Sequence, residues 1–553
     1  MKIEDVIKAN NIFVDNINQL LHNEGVEFNS RLQIIINHLN HCLYETKIEY
    51  TLINESTSNN ILQLIHSVSI NKHELFQILF MFYCNKKTKL DLDQYYTPFT
   101  IGEFICNLMK PGGSVIDPAC GTGDLVKNYK GQITLWDISP DVLDICDQNY
   151  KMNEKQYSIS CLNSLEQHDK DNGVYDYCCL NPPFGSSTLV KNGEILSHYT
   201  LGKNKVKEEI GILFIERAMQ LVKDDGIVFI IVPNGYLGNS TKNIKELKAY
   251  LMSYRIIAIL ELPGNTFSRS GTGVSTSLLI VQKTRCSSNY DIFIEKIVNI
   301  GYVLNKKNTP YKYKRIQGVY VTENNKPILD NDFDNCYRRF CKFAHKQNIE
   351  QCVHYDDHSV EYETVNTSLI KNCMLDINRY LLVYKQVMMK HVEQNSNTIK
   401  DYLQKVSEKF VKIDDNEYLY LDIKQITTPI YNKTNMLYGY ELPSRAKLIV
   451  KKYDIIVSKL KGKITFTMIL SEEPNIVASN GFCLLRPKDY QSGLIIFANL
   501  FGIDFHIQHN SLCTGSIMET ISESDIEKIH IYENIDTQKY ENIINALVVI
   551  NQL

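Results

Sequence analysis

Tryptophan occurs once in 553 residues, and no apolar run approaches the roughly 20 residues that a membrane-spanning helix needs. The start, MKIEDVIKAN, is polar, so neither a secretory leader nor a membrane segment is expected. An excess of one charge sign is also missing. Lys and Arg number 59 against 63 Asp and Glu, a net charge of −4, which excludes a polycation and makes any nucleic-acid surface a local feature. The 15 cysteines are odd in number and scattered, with no paired Cys-x-x-Cys. Reduced thiols and a cytoplasmic location are the expectation. Cys336, Cys341, His345, Cys352, His354 and His358 crowd together, but without zinc-type spacing no metal is expected.

Proline and glycine are nearly absent from residues 1–90, which read as helical, with 74-ELFQILFMFY-83 as an apolar helix. From about residue 91 the texture changes. The short apolar runs SVI (114–116), ITLW (133–136), YDYCCL (175–180), GIVFIIV (226–232), RIIAIL (255–260) and STSLLIVQ (275–282) alternate with amphipathic stretches. One of these, 208–225, puts Ile210, Leu213, Phe214, Ala218 and Leu221 on one face, with acids early and a lysine late, as the helix dipole favours. Such alternation predicts an α/β sheet with helices on both faces. Residues 301–395 are polar and irregular, 396–530 read as short strands, and the tail from Thr537 reads as a last helix. At this length two to four domains are expected.

The first strand runs into 117-DPACGTGDLV-126. A strand, Gly-x-Gly and a following helix make a nucleotide-binding design, with Gly121 and Gly123 allowing close backbone approach and the helix offering free N–H groups. The loop lacks both the third glycine of dinucleotide binders and the Gly-Lys-Ser/Thr of phosphate loops. Asp137 ends the second strand, where an acid can hold a ribose diol. After the third run, YDYCCL, comes 181-NPPF-184. Two prolines end a strand at once, because neither has an N–H for a ladder. They leave one amide side chain, one bare carbonyl and one aromatic face.

DPACGTG, the upstream QYYTP (94–98) and the downstream NPPF together resemble the S-adenosylmethionine-dependent DNA adenine-N6 methyltransferases. Their order is that of the gamma group, and the pattern is similar to the modification subunits of type I restriction systems and related single-chain enzymes. The resemblance covers roughly 90–285. It implies a Rossmann-like, seven-stranded sheet with S-adenosylmethionine over the strand ends. Tyr96, Thr97 and Pro98 match the motif at the cofactor's methionine end; Asp117, Ala119, Gly121 and Gly123 match the loop beneath it; Asp137 matches the ribose acid. Where the family often has an acid beside the adenine, this chain offers Asn163.

The exocyclic amine of adenine is a poor nucleophile because its lone pair is delocalised into the ring. Donating both N–H bonds to oxygens placed out of the ring plane would turn that lone pair toward an electrophile. The Asn181 side-chain oxygen and the Pro182 carbonyl are the expected acceptors, Pro183 stiffens the turn, and Phe184 is the expected stacking face for a base taken out of its duplex. Asn181 is also expected to touch the cofactor.

The window 444–463 holds seven basic residues and one acid, an expected phosphate-contact patch. YDIIVSKLKGKI, IVASNGFCLLRPK and LCTGSIMETISESDIEKIHI, in that order, resemble one target recognition domain of a type I specificity subunit. Lys459, Lys461 and Lys463 are the expected DNA contacts. The expectation is thus a helical region (1–90), a methyltransferase domain (91–300), a connecting region (301–395) and an α+β target recognition domain (396–553). The expected partners are double-stranded DNA and a specificity subunit, a restriction subunit or a second copy. Glu45-Thr46-Lys47 mimics the end of a nuclease core, but no acidic partner in a strand context precedes it. The rivals are an RNA adenine or protein glutamine methyltransferase, and a DNA-binding specificity protein without activity.

Overall fold

The computed structural model describes residues 2–550 except 49–51, 71, 84–96, 152–155, 167–168, 184–188, 265, 269–272, 304–310, 407, 432–433 and 473–474. The chain divides into two compact units, Met1–Leu375 and Asp376–Leu553. Among the described residues no helix is long and apolar enough to cross a membrane.

The first unit opens with four helices: α1 (Ile3–Asn23), α2 (Phe28–Tyr44), α3 (Glu55–Ser67) and α4 (Lys72–Tyr83). Helix α1 buries Val6, Ile7, Asn10, Phe13, Val14, Ile17 and Leu21, the three-and-four spacing of a one-faced helix. Asn10 is the polar member of that stripe. It donates to Ser69 Oγ (2.8 Å) and Tyr313 Oη (2.7 Å) and accepts from the Ser69 N–H (2.8 Å), so its burial leaves little unpaid desolvation. Asn54 caps α3 by accepting from the Thr57 N–H at 2.8 Å. The apolar faces of these helices share one core with the sheet that follows, in which Leu79, Phe104, Val126 and Leu135 all take part.

That sheet is built from β1 (Ser114–Asp117), β2 (Gln132–Asp137), β3 (Tyr157–Cys161), β4 (Tyr175–Leu180), β5 (Val222–Pro233), β6 (Arg255–Glu261), β7 (Thr276–Gln282), β8 (Asp291–Lys296) and β9 (Glu363–Asn366). Their spatial order is β3-β2-β1-β4-β5-β7-β6-β8-β9. β1 lies between β2 and β4, parallel to both, and β7 runs antiparallel to β5 and β6. The six apolar runs of the sequence lie on β1, β2, β4, β5, β6 and β7. Continuous runs suit strands covered on both faces, and every residue of β7 is buried. The mixed α/β sheet is the architecture expected, but it has nine strands rather than seven. β8 adds in parallel beside β6, and β9 returns antiparallel from beyond residue 360. Both added strands are short and partly polar, so neither stands out as an apolar run.

The helices of this unit include α5 (Phe99–Leu108), α6 (Pro140–Lys151), α7 (Ile210–Leu221), α8 (Lys242–Met252) and α9 (Phe333–Lys346). Two local expectations are corrected. The helix expected over 208–225 stops at Leu221, and residues 222–225 already belong to β5. It is also buried nearly all round rather than amphipathic, since Gly211–Met219 are all buried. Its charged pair is satisfied internally: Glu216 accepts from the N–H groups of Thr200 (2.7 Å) and Leu201 (2.8 Å), and Arg217 donates to Ser164 O (2.9 Å). Nor does a helix follow the glycine loop, where residues 121–128 are a series of turns. Gly121 and Gly123 have φ of +52° and +85°, the left-handed region in which a right-handed helix cannot begin. The carbonyls of Thr122 and Gly123 accept instead from Asn149 Nδ2 and Tyr150 Oη, both at 2.8 Å.

The second unit is α+β. One sheet orders β11 (Met436–Tyr438), β10 (Glu417–Leu421), β15 (Ile476–Ser479) and β12 (Ala446–Val450). A second centres β13 (Ile455–Ser458) between β14 (Phe466–Met468) and β16 (Phe482–Leu485). Helices α10 (Leu382–Glu393), α11 (Tyr490–Asn499), α12 (Ile503–Leu512) and α13 (Thr537–Ile550) complete it. Buried Arg486 grips Asp454 through Nε (2.9 Å) and Nη2 (2.7 Å), a fork geometry that removes both charges from water together.

Candidate active site

Strand order reverses at β1, because β2 and β4 lie on its two sides. In a parallel sheet that reversal opens a crevice beyond the strand C-termini. Asp117, Asp137 and Asn181 stand there, at the ends of β1, β2 and β4.

Asp117 is buried and accepts from the Ala119 N–H at 3.2 Å. Burial pushes its carboxyl well above the usual carboxylate range. Asp137 holds the glycine loop, accepting from the Gly121 N–H through Oδ2 (2.9 Å) and from the Ser139 N–H through Oδ1 (3.0 Å). Burial again raises its pKa, against these two hydrogen bonds. Each oxygen keeps a second lone pair for a ligand hydroxyl. The two glycines differ in what surrounds them. A Cβ on Gly121 would meet nothing within 4 Å, whereas one on Gly123 would lie 2.4 Å from Tyr150 Cε2 and 2.7 Å from Cys146 Sγ. Gly121 therefore borders open space, and Gly123 is where α6 presses on the loop.

Asn181 follows β4 directly. Its Nδ2 donates to Thr97 Oγ1 at 3.0 Å, a bond across 84 residues of chain. Thr97 is 3% exposed, and the next residue, Pro98, is the N-cap of α5. The upstream and downstream motifs thus meet side chain to side chain. The bond fixes the Asn181 amide plane and leaves Oδ1 buried, with no hydrogen-bond partner among the described residues. A buried, unsatisfied acceptor costs about 1–3 kcal/mol, a cost that a ligand N–H at this point would remove. Pro182 is buried and Pro183 half-buried. The Pro183 carbonyl would lie 3.4 Å from a Cβ on Gly211, so α7 presents a glycine to this turn. Tyr96 and Phe184 lie outside the described residues.

Asn163, in the loop after β3, makes local hydrogen bonds: Oδ1 accepts from the Leu165 N–H and Nδ2 donates to Glu166 Oε1, both at 3.2 Å. The neighbouring Ser164 hydroxyl donates to the Pro118 carbonyl, tying the loop after β3 to the one after β1.

Several supporting residues escape a motif reading. A Cβ on Gly102 would lie 2.5 Å from the Asp124 carbonyl, so α5 lies against the glycine loop at that glycine. Asp124 and Lys127, within the loop itself, are both buried. Two ionisable residues three apart, immediately after the glycines in an otherwise apolar stretch, are the signal that could have exposed them.

In the second unit the basic window is neutralised locally. Arg445 pairs with Asp422, Lys451 with Glu408 (2.5 Å), Lys452 with Glu472, Lys459 with Glu523 (3.1 Å) and Lys461 with Glu519. The acids come from up to 64 residues away, so the window looks positive in sequence and is largely paired in the fold. Lys463 and Lys447 are exposed. Of the cysteines near residue 345, Cys336, Cys341 and Cys352 are buried, and among the described residues no group of three or more His, Cys, Asp and Glu could hold a metal ion.

Residues 73–367, more than half of the chain, match the family described as N-6 DNA Methylase. The chain is 24% identical over 361 residues to the type I restriction enzyme MpnII methylase subunit of Mycoplasma pneumoniae, covering 58% of this chain and 62% of that protein. It is 25% identical over 256 residues to the type I restriction enzyme EcoEI methylase subunit of Escherichia coli, covering 40% and 49%. It thus spans less than two thirds of either relative. Among solved structures, the type IIG restriction endonuclease BpuSI aligns over 97% of this chain and 72% of its own, at 12% identity and a TM-score of 0.49. On the family match, the chain belongs to the N-6 DNA methylases.

Proposed function

We propose that this chain transfers a methyl group from S-adenosylmethionine to the N6 amine of adenine in double-stranded DNA. The observation that carries the reading is Asn181: an amide just beyond β4, held by Thr97 at 3.0 Å, with its oxygen buried and unpartnered among the described residues. An acceptor already desolvated and fixed in direction suits an amine whose N–H bonds must be drawn out of conjugation. Thr97 keeps the amide from rotating, so the reorganisation is complete before the base arrives. The Pro182 carbonyl is the second acceptor, and Phe184 is the stacking face for the base.

The crevice fits the cofactor by its own features. Open space borders Gly121, and the Asp137 carboxylate can take a ribose diol while still holding the loop. Asp117, Ala119 and Gly123 would form the floor, and Thr97 and Pro98 the wall at the methionine end; Tyr96 of the same motif is proposed to join them. When bound, S-adenosylmethionine supplies a methyl group already activated on sulfur, so the protein has to align, exclude water and hold the amine. Asn163 is the residue nearest in sequence to the expected adenine contact, and its local hydrogen bonds make it a support for that loop.

The second unit would read the DNA sequence, with Lys463 offering an exposed cation and Lys459 and Lys461 contributing once DNA phosphates compete with their acids. The partner is duplex DNA together with a specificity subunit, a restriction subunit or a second copy, as the type I names of the relatives suggest.

The test is methyl transfer from labelled S-adenosylmethionine to mixed-sequence duplex DNA, followed by nucleoside digestion, with Asn181→Ala alongside. N6-methyladenine from the wild type, and none from Asn181→Ala with cofactor binding retained, is the expected result. Label in RNA or protein only, or undiminished turnover by the variant, would overturn the reading.

A further inference from the structure

Three ionisable side chains beneath the glycine loop are buried away from water: Glu74 on α4 (3% exposed), Asp124 (6%) and Lys127 (4%). Lys127 Nζ faces Asp124 Oδ1 at 3.6 Å, and among the described residues neither atom has a hydrogen-bond partner, so the pair is held by charge. Asp124 Oδ2 accepts from the Thr122 hydroxyl at 2.9 Å, inside the loop. On the other side Glu74 accepts from the Tyr302 hydroxyl. The Lys127 ammonium attracts Glu74 as well as Asp124, while the two carboxylates repel each other. Lys127 also stands over the Phe99 ring, 5.8 Å from its centroid, in the first turn of the helix that Pro98 caps.

A loop of turns has no helical ladder to fix it. Ion pairs are a costly substitute, because each buried charge needs its partner. Here the ammonium pairs with Asp124 in the loop and its charge also favours the Glu74 carboxylate, on a helix about fifty residues upstream. We propose that Glu74, Asp124 and Lys127 are positioning residues, a buried charge cluster that sets the glycine loop in its cofactor-binding form and makes cofactor affinity depend on the N-terminal helices. This rests on the cofactor reading above and adds to it residues that touch neither cofactor nor base.

The test uses the full chain, with S-adenosylhomocysteine affinity measured by calorimetry and thermal unfolding recorded for every variant. Lys127→Met is expected to weaken binding about tenfold or more, because it strands two buried carboxyls, while Lys127→Arg restores it to within about threefold. Glu74→Gln with Lys127→Met should fall short of the product of the single effects by about threefold or more, since the second change removes a group the first has already stranded. At saturating cofactor and DNA, kcat should stay within about threefold in every variant while KM for the cofactor rises. If Lys127→Met does not fold, Asp124→Asn and Lys127→Arg carry the same comparison. Affinities at the wild-type level, or single effects that multiply independently, would overturn the cluster's role and leave the cofactor reading standing. A wild-type chain that binds no S-adenosylhomocysteine would overturn both.

Discussion

Replacing Thr97 by valine tests the site at its narrowest point. The two side chains have nearly the same shape, and Thr97 is 3% exposed, so the packing around it should survive. What goes is the acceptor for Asn181 Nδ2, now at 3.0 Å. An amide N–H left unpaired in a buried site costs about 1–3 kcal/mol. The amide can escape part of that by rotating, but rotation carries Oδ1 away from where the amine must sit. If the cost is felt in the transition state, kcat falls by about 5- to 150-fold at 1.36 kcal/mol per decade. The assay is single-turnover methyl transfer at saturating cofactor and DNA, with Thr97→Ser retaining the hydroxyl as control. Cofactor affinity should change by less than about threefold, because Thr97 acts through Asn181. Wild-type turnover by Thr97→Val would refute the reasoning. So would a loss of cofactor binding that accounts for the whole drop in rate.

Asp137→Ala removes the acceptor for the Gly121 and Ser139 N–H groups, and calorimetry should show cofactor binding weakened about tenfold or more before kcat at saturation changes. Gly123→Ala drives a Cβ to 2.4 Å from Tyr150 at a φ of +85°. It should cost about 2–4 kcal/mol in chemical unfolding, against about 1–2 kcal/mol for Gly121→Ala, which meets open space. Burial raises the Glu74 carboxyl from its ordinary 4.5 to about 7. The folded chain therefore binds a proton the unfolded one has lost, and stability falls as pH rises from 4.5 to 7. Above that window the penalty is about 3 kcal/mol, so denaturation at pH 8 and pH 4 should show Glu74→Gln relieving the wild type only at the higher pH.

The strands of the sheet were legible because burial on both faces leaves a mark: YDYCCL and STSLLIVQ are too apolar for any other position. The crevice residues at the ends of β1, β2 and β4 were legible because loop chemistry is written in glycine, proline and acids. The turns after Gly123 were not, since the groups that take up the loop's carbonyls, Asn149 Nδ2 and Tyr150 Oη, come from α6. The added strands β8 and β9 were hidden because a short edge strand carries too few apolar residues to show a period. The pairing of Lys459 and Lys461 was hidden for a different reason. Charge in a window counts neighbours in sequence, whereas Glu519 and Glu523 are neighbours in space. The Thr97–Asn181 bond falls between these cases: both residues were marked, and their meeting is a fact of the fold.

The ninth strand has a bearing on how this protein can be handled. β9 is four residues long and returns to the sheet after an excursion of more than sixty residues from β8. A chain cut near residue 300 would keep every crevice residue and lose that strand. The β8 groups that now pair with Asn366, Val365, Thr364 and Glu363 would become a bare row of N–H and C=O groups beside the buried side chains of Ile292, Phe293 and Ile294. Such a row is a template for another strand. A fragment trimmed to the crevice would face self-association at its far edge, well away from the chemistry.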